Sequence, residues 1–309
     1  MIQAIDSLPP PPIDERKASL VIPCYNRAKL IRKAVESVLS EAEYLAEIVI
    51  VDDGSTDDTP AVLAALAQEM PLVRIVSKPN GGVASARNAG VQAASAPWVA
   101  FLDSDDWWLP GKLQAQFDAL AQTPGARLCG TRLIVGAENS TRVRPATMDG
   151  VDKLVTHLED LFLHPSASLI QRDFFLSLDG FDESLETGED TDLFLRALAE
   201  TPLAAVEKPY AHLYKLSDGL SNSNRVRTAV NHRGVVERFI ERVKDTPAAI
   251  DPVEARNVLA RWSIRVARVL VRAGKKAEAK AELRAHRALY SGGTNLRAKL
   301  LMLRLMLGL

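Results

Sequence analysis

Residues 98–108 read Trp-Val-Ala-Phe-Leu-Asp-Ser-Asp-Asp-Trp-Trp (WVAFLDSDDWW). An apolar run ends abruptly in Asp103, Ser104, Asp105 and Asp106, and two tryptophans follow at once. A short continuous apolar run bounded by turn residues is the pattern of a strand buried on both faces. Three carboxylates at its end repel one another and call for a counter-charge. Asp103 and Asp105 flank a single residue, so both can turn towards a common point as the strand ends. Hard oxygen donors of this kind suit Mg²⁺ or Mn²⁺. Magnesium takes one or two protein carboxylates and leaves places for phosphate oxygens. The competing reading is a capped, solvated turn leading into a helix at Pro110. Trp107 and Trp108 weigh against a solvated turn, although core packing is the commoner role of tryptophan.

Working outward, branched apolar runs alternate with helical spacing. SLVIP (19–23), EIVIVDD (47–53) and LVRIVS (72–77) read as strands that precede the one at 98–103. RAKLIRKAVESVLS, DDTPAVLAALAQEM and GGVASARNAGVQAA read as the helices between them. Such alternation predicts an α/β fold with a mostly parallel sheet covered on both faces. After the helix GKLQAQFDALAQ the alternation loosens. ARLCGTRLIV and SASLI then read as strands, EDTDLFLRALAE as a helix, and AAVEKPYAHLYKL as one or two strands. From about Asn224 the pattern is helical throughout.

In an open parallel sheet, ligands bind at the carboxyl ends of the strands. Three polar clusters fall there: PCYNR after the first strand, DDGSTDD after the second, and DSDD after the fourth. Each alone reads as a turn or a helix cap. Together on one edge they point to a shared ligand site. Asp52 and Asp53 are placed to accept hydrogen bonds from a base or ribose. NGGVASARNAG is Gly-rich and opens a helix, so its N–H groups can face an anion, and Arg87 adds a cation. Farther on, GFDESLETGEDTDLFLRA puts Glu189 and Asp190 at a helix start, as an N-cap or as a general base.

The bulk numbers narrow the class. The 309 residues carry a net charge of −1, which gives no general attraction to nucleic acid. The two cysteines, Cys24 and Cys129, form no metal-ligand spacing or disulfide framework, as expected in a reducing cytosol. The start, MIQAIDSLPPPPIDERK, lacks a basic n-region and an apolar core, so a Pro-rich leader over 1–17 is expected rather than a signal peptide. No stretch reaches the ~18 apolar residues of a membrane span.

Five motifs in order and spacing, VIPCYNR, VDDGSTDDT, NGGVASARNAG, FLDSDDWW and GFDESLETGEDTDLFLRA, resemble the family 2 glycosyltransferases of GT-A fold. The likeness runs from about Ser19 to about Ser221. It implies a metal-dependent, inverting transfer of a sugar from a nucleotide-diphosphate donor. On this sequence it implies that Pro23, Tyr25 and Asn26 line the nucleotide pocket. Asp53, with Asp52, meets the base, and Arg87 contacts the nucleotide. Asp103, Ser104 and Asp105 form the DxD element, with Asp105 the direct Mn²⁺ or Mg²⁺ ligand and Asp103 nearer the ribose. Asp106 supports the turn, and Asp190 is the catalytic base. Trp107, Trp108 and the segment 141–168 are expected around donor and acceptor. One departure stands out. Many relatives carry YRxH after the last strand, whereas this chain has Lys215 and Ser217 there, and His212 lies too early to replace that histidine.

The remaining expectation concerns charge. From Arg256 onward there are 13 Lys plus Arg against 2 Asp plus Glu, a net of +11, and the rest carries −12. The expected division is therefore a sheet domain over 18–223 and a helical region over 224–309, basic from 256. Arg261, Arg265, Arg268 and Arg272 form one helical stripe, with Trp262, Val266, Val269 and Leu270 turned inward. The leucine-rich end, NLRAKLLMLRLMLGL, is also basic. These helices either face solvent or meet an anionic membrane surface from the cytoplasm. A lipid-linked or cell-surface glycan acceptor would suit the second reading. Two other functions compete. One is a sugar nucleotidyltransferase, which needs a Gly-rich loop where PCYNRAKL has no glycine. The other is a catalytically silent nucleotide-sugar binder.

Overall fold

The computed structural model describes residues 16–145, 148, 153–214, 225–290 and 292–307. Contacts divide them into two units, one within Met1–Lys153 plus Phe162–Leu216 and the other within Leu154–Leu161 plus Ser217–Leu309.

The first unit is built on a nine-stranded sheet. Its strands are β1 (Ala18–Cys24), β2 (Leu45–Asp52), β3 (Val73–Ser77), β4 (Trp98–Phe101), β5 (Trp107–Trp108), β6 (Leu128–Gly136), β7 (Val143–Arg144), β8 (Ser168–Gln171) and β9 (Leu203–Tyr214). The order is β3-β2-β1-β4-β8-β6-β9-β5, with β7 pairing to β6. Strands β1 to β4 are parallel, as the alternating pattern predicts. Beyond β4 the sheet is mixed. β8 runs antiparallel to β4 and β6, while β6 and β9 are parallel. The loosening of the strand–helix alternation after residue 121 is the sequence trace of this change. β9 is one long strand, and its ladder with β6 slips where Arg132 meets Pro209, because proline has no N–H to give.

Apolar side chains of β1 and β2 are wholly buried on both faces, among them Leu20, Val21, Ile22, Ile48, Val49 and Ile50. Each such side chain contributes about 1.5–3 kcal/mol by leaving water. One face is covered by α1 (Ile31–Ser37), α2 (Thr59–Glu69) and α4 (Lys112–Ala121), and the other by α3 (Gly82–Ala93), α6 (Arg172–Ser177) and α7 (Glu189–Leu198). Helix α3 lies flat against β1 and β2 because residue 90 is glycine, where a Cβ would strike Val21 and come within 3.1 Å of Val51. Pro23 sits in a central strand without loss because pairing to β4 has already ended at Val21–Phe101.

The second unit takes α5 (Lys153–Asp160) from within the expected sheet domain and joins it to α8 (Arg225–Val243), α9 (Pro252–Arg272), α10 (Lys276–Ala285) and α11 (Gly292–Leu307). Asp251 caps α9 by accepting the Val253 and Glu254 N–H groups, with Pro252 in the first turn. Trp262, Val266 and Leu270 point inward, as their spacing predicts. Trp262 Nε1 donates to the Leu158 carbonyl, and Arg265 donates to the Glu159 carbonyl. No described helix is long and apolar enough to cross a membrane.

Candidate active site

Parallel strands bring the predicted clusters to one edge. β1, β2 and β4 end at Cys24, Asp52 and Phe101. β8 runs against β4, so the turn before it, His164–Ala167, reaches the same edge. Tyr25 is 44% exposed beside Asn26, which takes a left-handed φ of 53°. The Asn26 N–H donates to Ser55 Oγ (3.0 Å) and its Oδ1 accepts the Thr56 N–H (2.8 Å), tying the first loop to the second.

Asp52 and Asp53 are both buried, and they are used differently. Asp52 Oδ1 accepts the Ser55 N–H at 3.0 Å, an Asx turn that shapes the loop. Asp53 accepts the Gly81 and Gly82 N–H groups at 2.9 and 2.8 Å, and Lys78 Nζ at 2.7 Å. The anion that faces the Gly-rich start of α3 is thus the protein's own. Gly54, at φ 74°, makes the turn between these carboxylates and the loop.

The acid-rich turn is held from several directions. Ser166 is wholly buried. Its Oγ accepts the Asp103 N–H (3.1 Å) and donates to Asp106 Oδ2 (2.7 Å). The Tyr214 N–H, at the end of β9, donates to Asp106 Oδ1 at 3.0 Å. Both Asp106 oxygens therefore have protein partners, in keeping with its predicted support of the turn. Burial and the charges of Asp103 and Asp105 push the Asp106 carboxyl well above its ordinary range. Beneath the turn, Trp108 is 2% exposed and its Nε1 donates to the Ser166 carbonyl, so this side chain belongs to the core rather than to a ligand. The Lys112 amine lies 4.0 Å over the Trp108 ring and bonds Gln116, and burial pulls its pKa down to about 7. Trp107 is sandwiched between Lys33 (3.8 Å) and the His212 ring (4.2 Å). His212 is 3% exposed, with Nε2 beside the Gly136 carbonyl. Lys215 and Ser217 lie outside the described residues.

Arg87 joins two distant motifs. It is 3% exposed on α3, and its terminal nitrogens donate to Asp103 Oδ1 (2.6 Å) and Glu189 Oε1 (2.8 Å). The nucleotide contact expected of Arg87 is not where these nitrogens point. They hold the acid turn and the start of α7 together. Arg87 keeps Asp103 below the ordinary carboxylate range against the opposing effect of burial. Burial and neighbouring Asp190 push Glu189 up to about 7, with Arg87 opposing. Gly188 at φ 91° opens α7, and Asp190 stands half-buried in its first turn, accepting the Thr191 N–H at 2.7 Å.

His164 was not singled out in the sequence, where it is one isolated histidine about sixty residues from the acid turn. In the fold its Nε2 lies 4.0 Å from Asp103 Oδ2. Its Nδ1 accepts the Ser166 N–H at 3.3 Å, which leaves the ring proton on Nε2, facing the acids. Burial holds this imidazole below its ordinary pKa, against the charges of Asp103 and Asp190. One ligand atom each from Asp103, Asp106 and His164 lies within 4.8 Å of the others. Carboxylate oxygens and an imidazole nitrogen gathered this closely are donors that suit a divalent cation. The crowding itself fits one. Arg87 is shared by Asp103 and Glu189, and the charges of Asp103 and Asp105 both bear on Asp106. Cys24 and Cys129, the two thiols, are pushed up to about 12 by burial and offer no thiolate.

Comparison with known proteins agrees with the architecture. The chain is 32% identical to the succinoglycan biosynthesis protein ExoO of Rhizobium meliloti (strain 1021) over 225 residues, 68% of this chain and 64% of that protein. The chain spans less than two thirds of the length of this and other curated relatives it matches. The structure of S. aureus TarS 1-349 in complex with UDP-GlcNAc superposes with a TM-score of 0.62 at 17% identity, covering 94% of this chain and 92% of that one. The mannosyltransferase PcManGT from Pyrobaculum calidifontis, in complex with GDP-Man and Mn²⁺, gives 0.56 at 18% identity, covering 94% and 80%. The fold is the GT-A fold that the motifs implied. The sequence profile described as glycosyl transferase family 2 matches residues 19–178, more than half of the chain, and the chain belongs to that family.

Proposed function

We propose that this protein transfers a sugar from a nucleotide-diphosphate donor to an acceptor hydroxyl, with inversion and with a divalent metal, in the synthesis of a cell-surface or lipid-linked glycan. The observation that carries the reading is the Arg87 bridge, which ties Asp103 of the acid turn to Glu189, the neighbour of Asp190, at the start of α7. The donors bound by TarS and PcManGT and the role of ExoO support the substrate class.

In this reading Tyr25, Asn26, Asp52 and Asp53 border the base and ribose, with Pro23 and Ser104 shaping the pocket. The Asp53 carboxylate, held by Lys78, Gly81 and Gly82, forms the wall of the pocket beside the base. Asp103 and Asp105 would hold Mn²⁺ or Mg²⁺, which would supply positive charge against the charge that grows on the departing diphosphate. Arg87 holds Asp103 and Glu189, and the role of base falls to the half-buried neighbour Asp190. Asp190 takes the proton of the acceptor hydroxyl as that oxygen attacks the anomeric carbon from the face opposite the diphosphate. One displacement inverts the configuration, and no covalent sugar–enzyme bond forms. His164 Nε2–H stands beside Asp103 as a donor for an anionic oxygen of the nucleotide sugar.

The test is a panel of nucleotide sugars incubated with the protein and Mn²⁺, with the anomeric configuration of the product read by NMR. Turnover that stops with EDTA and inverts the anomer is the expected result. Retention of configuration, or full turnover in EDTA, would overturn it. Binding without turnover for every donor and acceptor class would favour the silent binder.

A further inference from the structure

Helix α11 carries apolar residues on two opposite faces. Thr294, Ala298 and Leu305 are buried within the helical unit. Leu296, Leu300 and Leu303 are 60%, 52% and 48% exposed. Their i, i+4, i+7 spacing puts them on one ridge, within an arc of about 60° at 3.6 residues per turn. Exposed Arg297 and Arg304 border this ridge on one side and exposed Lys299 on the other. No acidic residue occurs between 292 and 307.

A leucine ridge lined by cations on both edges has a specific complement. An apolar groove on a protein would take the leucines without needing positive charge along both borders. A bilayer interface takes both. Leucines enter the acyl boundary, while the Lys and Arg stems lie along it and carry their charges back to the head groups. The sign must be negative, and the net +11 of residues 256–309 adds to that attraction. The arginine stripe on α9 is a poorer candidate. Arg261 pairs with Glu159, and Arg265 bonds the Glu159 carbonyl, so half of the stripe serves α5.

We propose that α11 docks this protein on an anionic lipid surface, lying in the interface plane with Leu296, Leu300 and Leu303 downward. The site chemistry is not needed for this inference, and neither stands or falls with the other. The test uses the 309-residue chain and co-flotation with vesicles of phosphatidylcholine alone or mixed with phosphatidylglycerol. Expected are binding to the mixed vesicles, weakening with salt, and about tenfold loss of affinity on replacing Leu300 by Glu. Because Leu300 is exposed, circular dichroism should show the same helix content in that variant. The Arg297→Glu, Arg304→Glu pair should also lose binding, and Val253→Glu, an exposed apolar site on α9, should keep it. No binding to mixed vesicles, or equal binding to neutral ones, would overturn the proposal. So would light scattering that shows the ridge pairing two copies of the chain, with Leu300→Glu making it monomeric.

Discussion

The sheet unit and the helical unit carry opposite charge and handle it in opposite ways. In the sheet unit, charged groups are drawn inward and cross-linked over long stretches of chain. Arg87 meets Glu189 across 102 residues, and Asp53 meets Lys78, Gly81 and Gly82. In the helical unit the cations Arg268 and Arg272 stay at the surface, and pairs such as Lys244–Glu241 and Lys275–Glu278 are local and exposed, with Arg233–Glu282 and Arg261–Glu159 as long-range exceptions. A buried charge is costly unless it is paired and hydrogen-bonded, and so its position is fixed by its partners. An exposed charge costs little and acts through the field it makes with its neighbours. The first arrangement suits chemistry at a point, and the second suits a diffuse partner.

The contrast can be sharpened by mutation, beginning with the largest effect. Asp190→Asn should cut transfer by about 10²–10⁴-fold while nucleotide affinity is unchanged. A near-normal rate would remove Asp190 as the base. Arg87→Met strips the partner from Asp103 and Glu189, and should cost about 3–5 kcal/mol in denaturant unfolding. Arg272→Ala, on the exposed stripe, should change stability by no more than about 0.5 kcal/mol. Equal effects from these two arginines would break the comparison. Gly90→Ala, which drives a methyl into Val21 beneath α3, should cost about 1–3 kcal/mol.

The contrast also predicts a pH slope. Glu189 keeps its proton in the folded state up to about 7, whereas the unfolded chain releases it from the ordinary 4.5 upward. Its contribution to stability is complete below that lower value and is lost as pH rises through about 7. Glu189→Gln keeps an acceptor for Arg87 and removes the titration. Thermal midpoints between about pH 5 and 7 should fall less steeply with rising pH in the variant than in the parent. Parallel slopes would contradict the assignment.

How far the sequence could be read follows the same divide. The four parallel strands were legible because burial on both faces leaves unbroken apolar runs, and the edge loops because strand ends must turn. Asp103, Asp105 and Asp190 stood out by motif. The roles of Arg87 and Asp53 did not, since a cation on a helix and a carboxylate in a turn look alike whether they meet a ligand or another part of the chain. His164 and Ser166 left no local signal. Their importance comes from β8 running antiparallel to β4, a pairing that no spacing reports. The same holds for α5, whose eight residues give no sign that Leu158 and Glu159 will cap Trp262 and Arg265. Trp108 was legible only as a tryptophan, and its indole N–H turned it to the core.

The most direct test of the donor site is calorimetric titration of the protein with UDP, GDP, CDP and dTDP, each in Mn²⁺ and in EDTA, repeated with Asp105→Ala. The expected result is one preferred nucleotide that binds with Mn²⁺, binds poorly in EDTA, and loses its metal dependence in the variant. Failure of every nucleotide to bind the folded protein in Mn²⁺ would contradict the proposed donor site, and metal dependence unchanged in Asp105→Ala would contradict its proposed metal ligand.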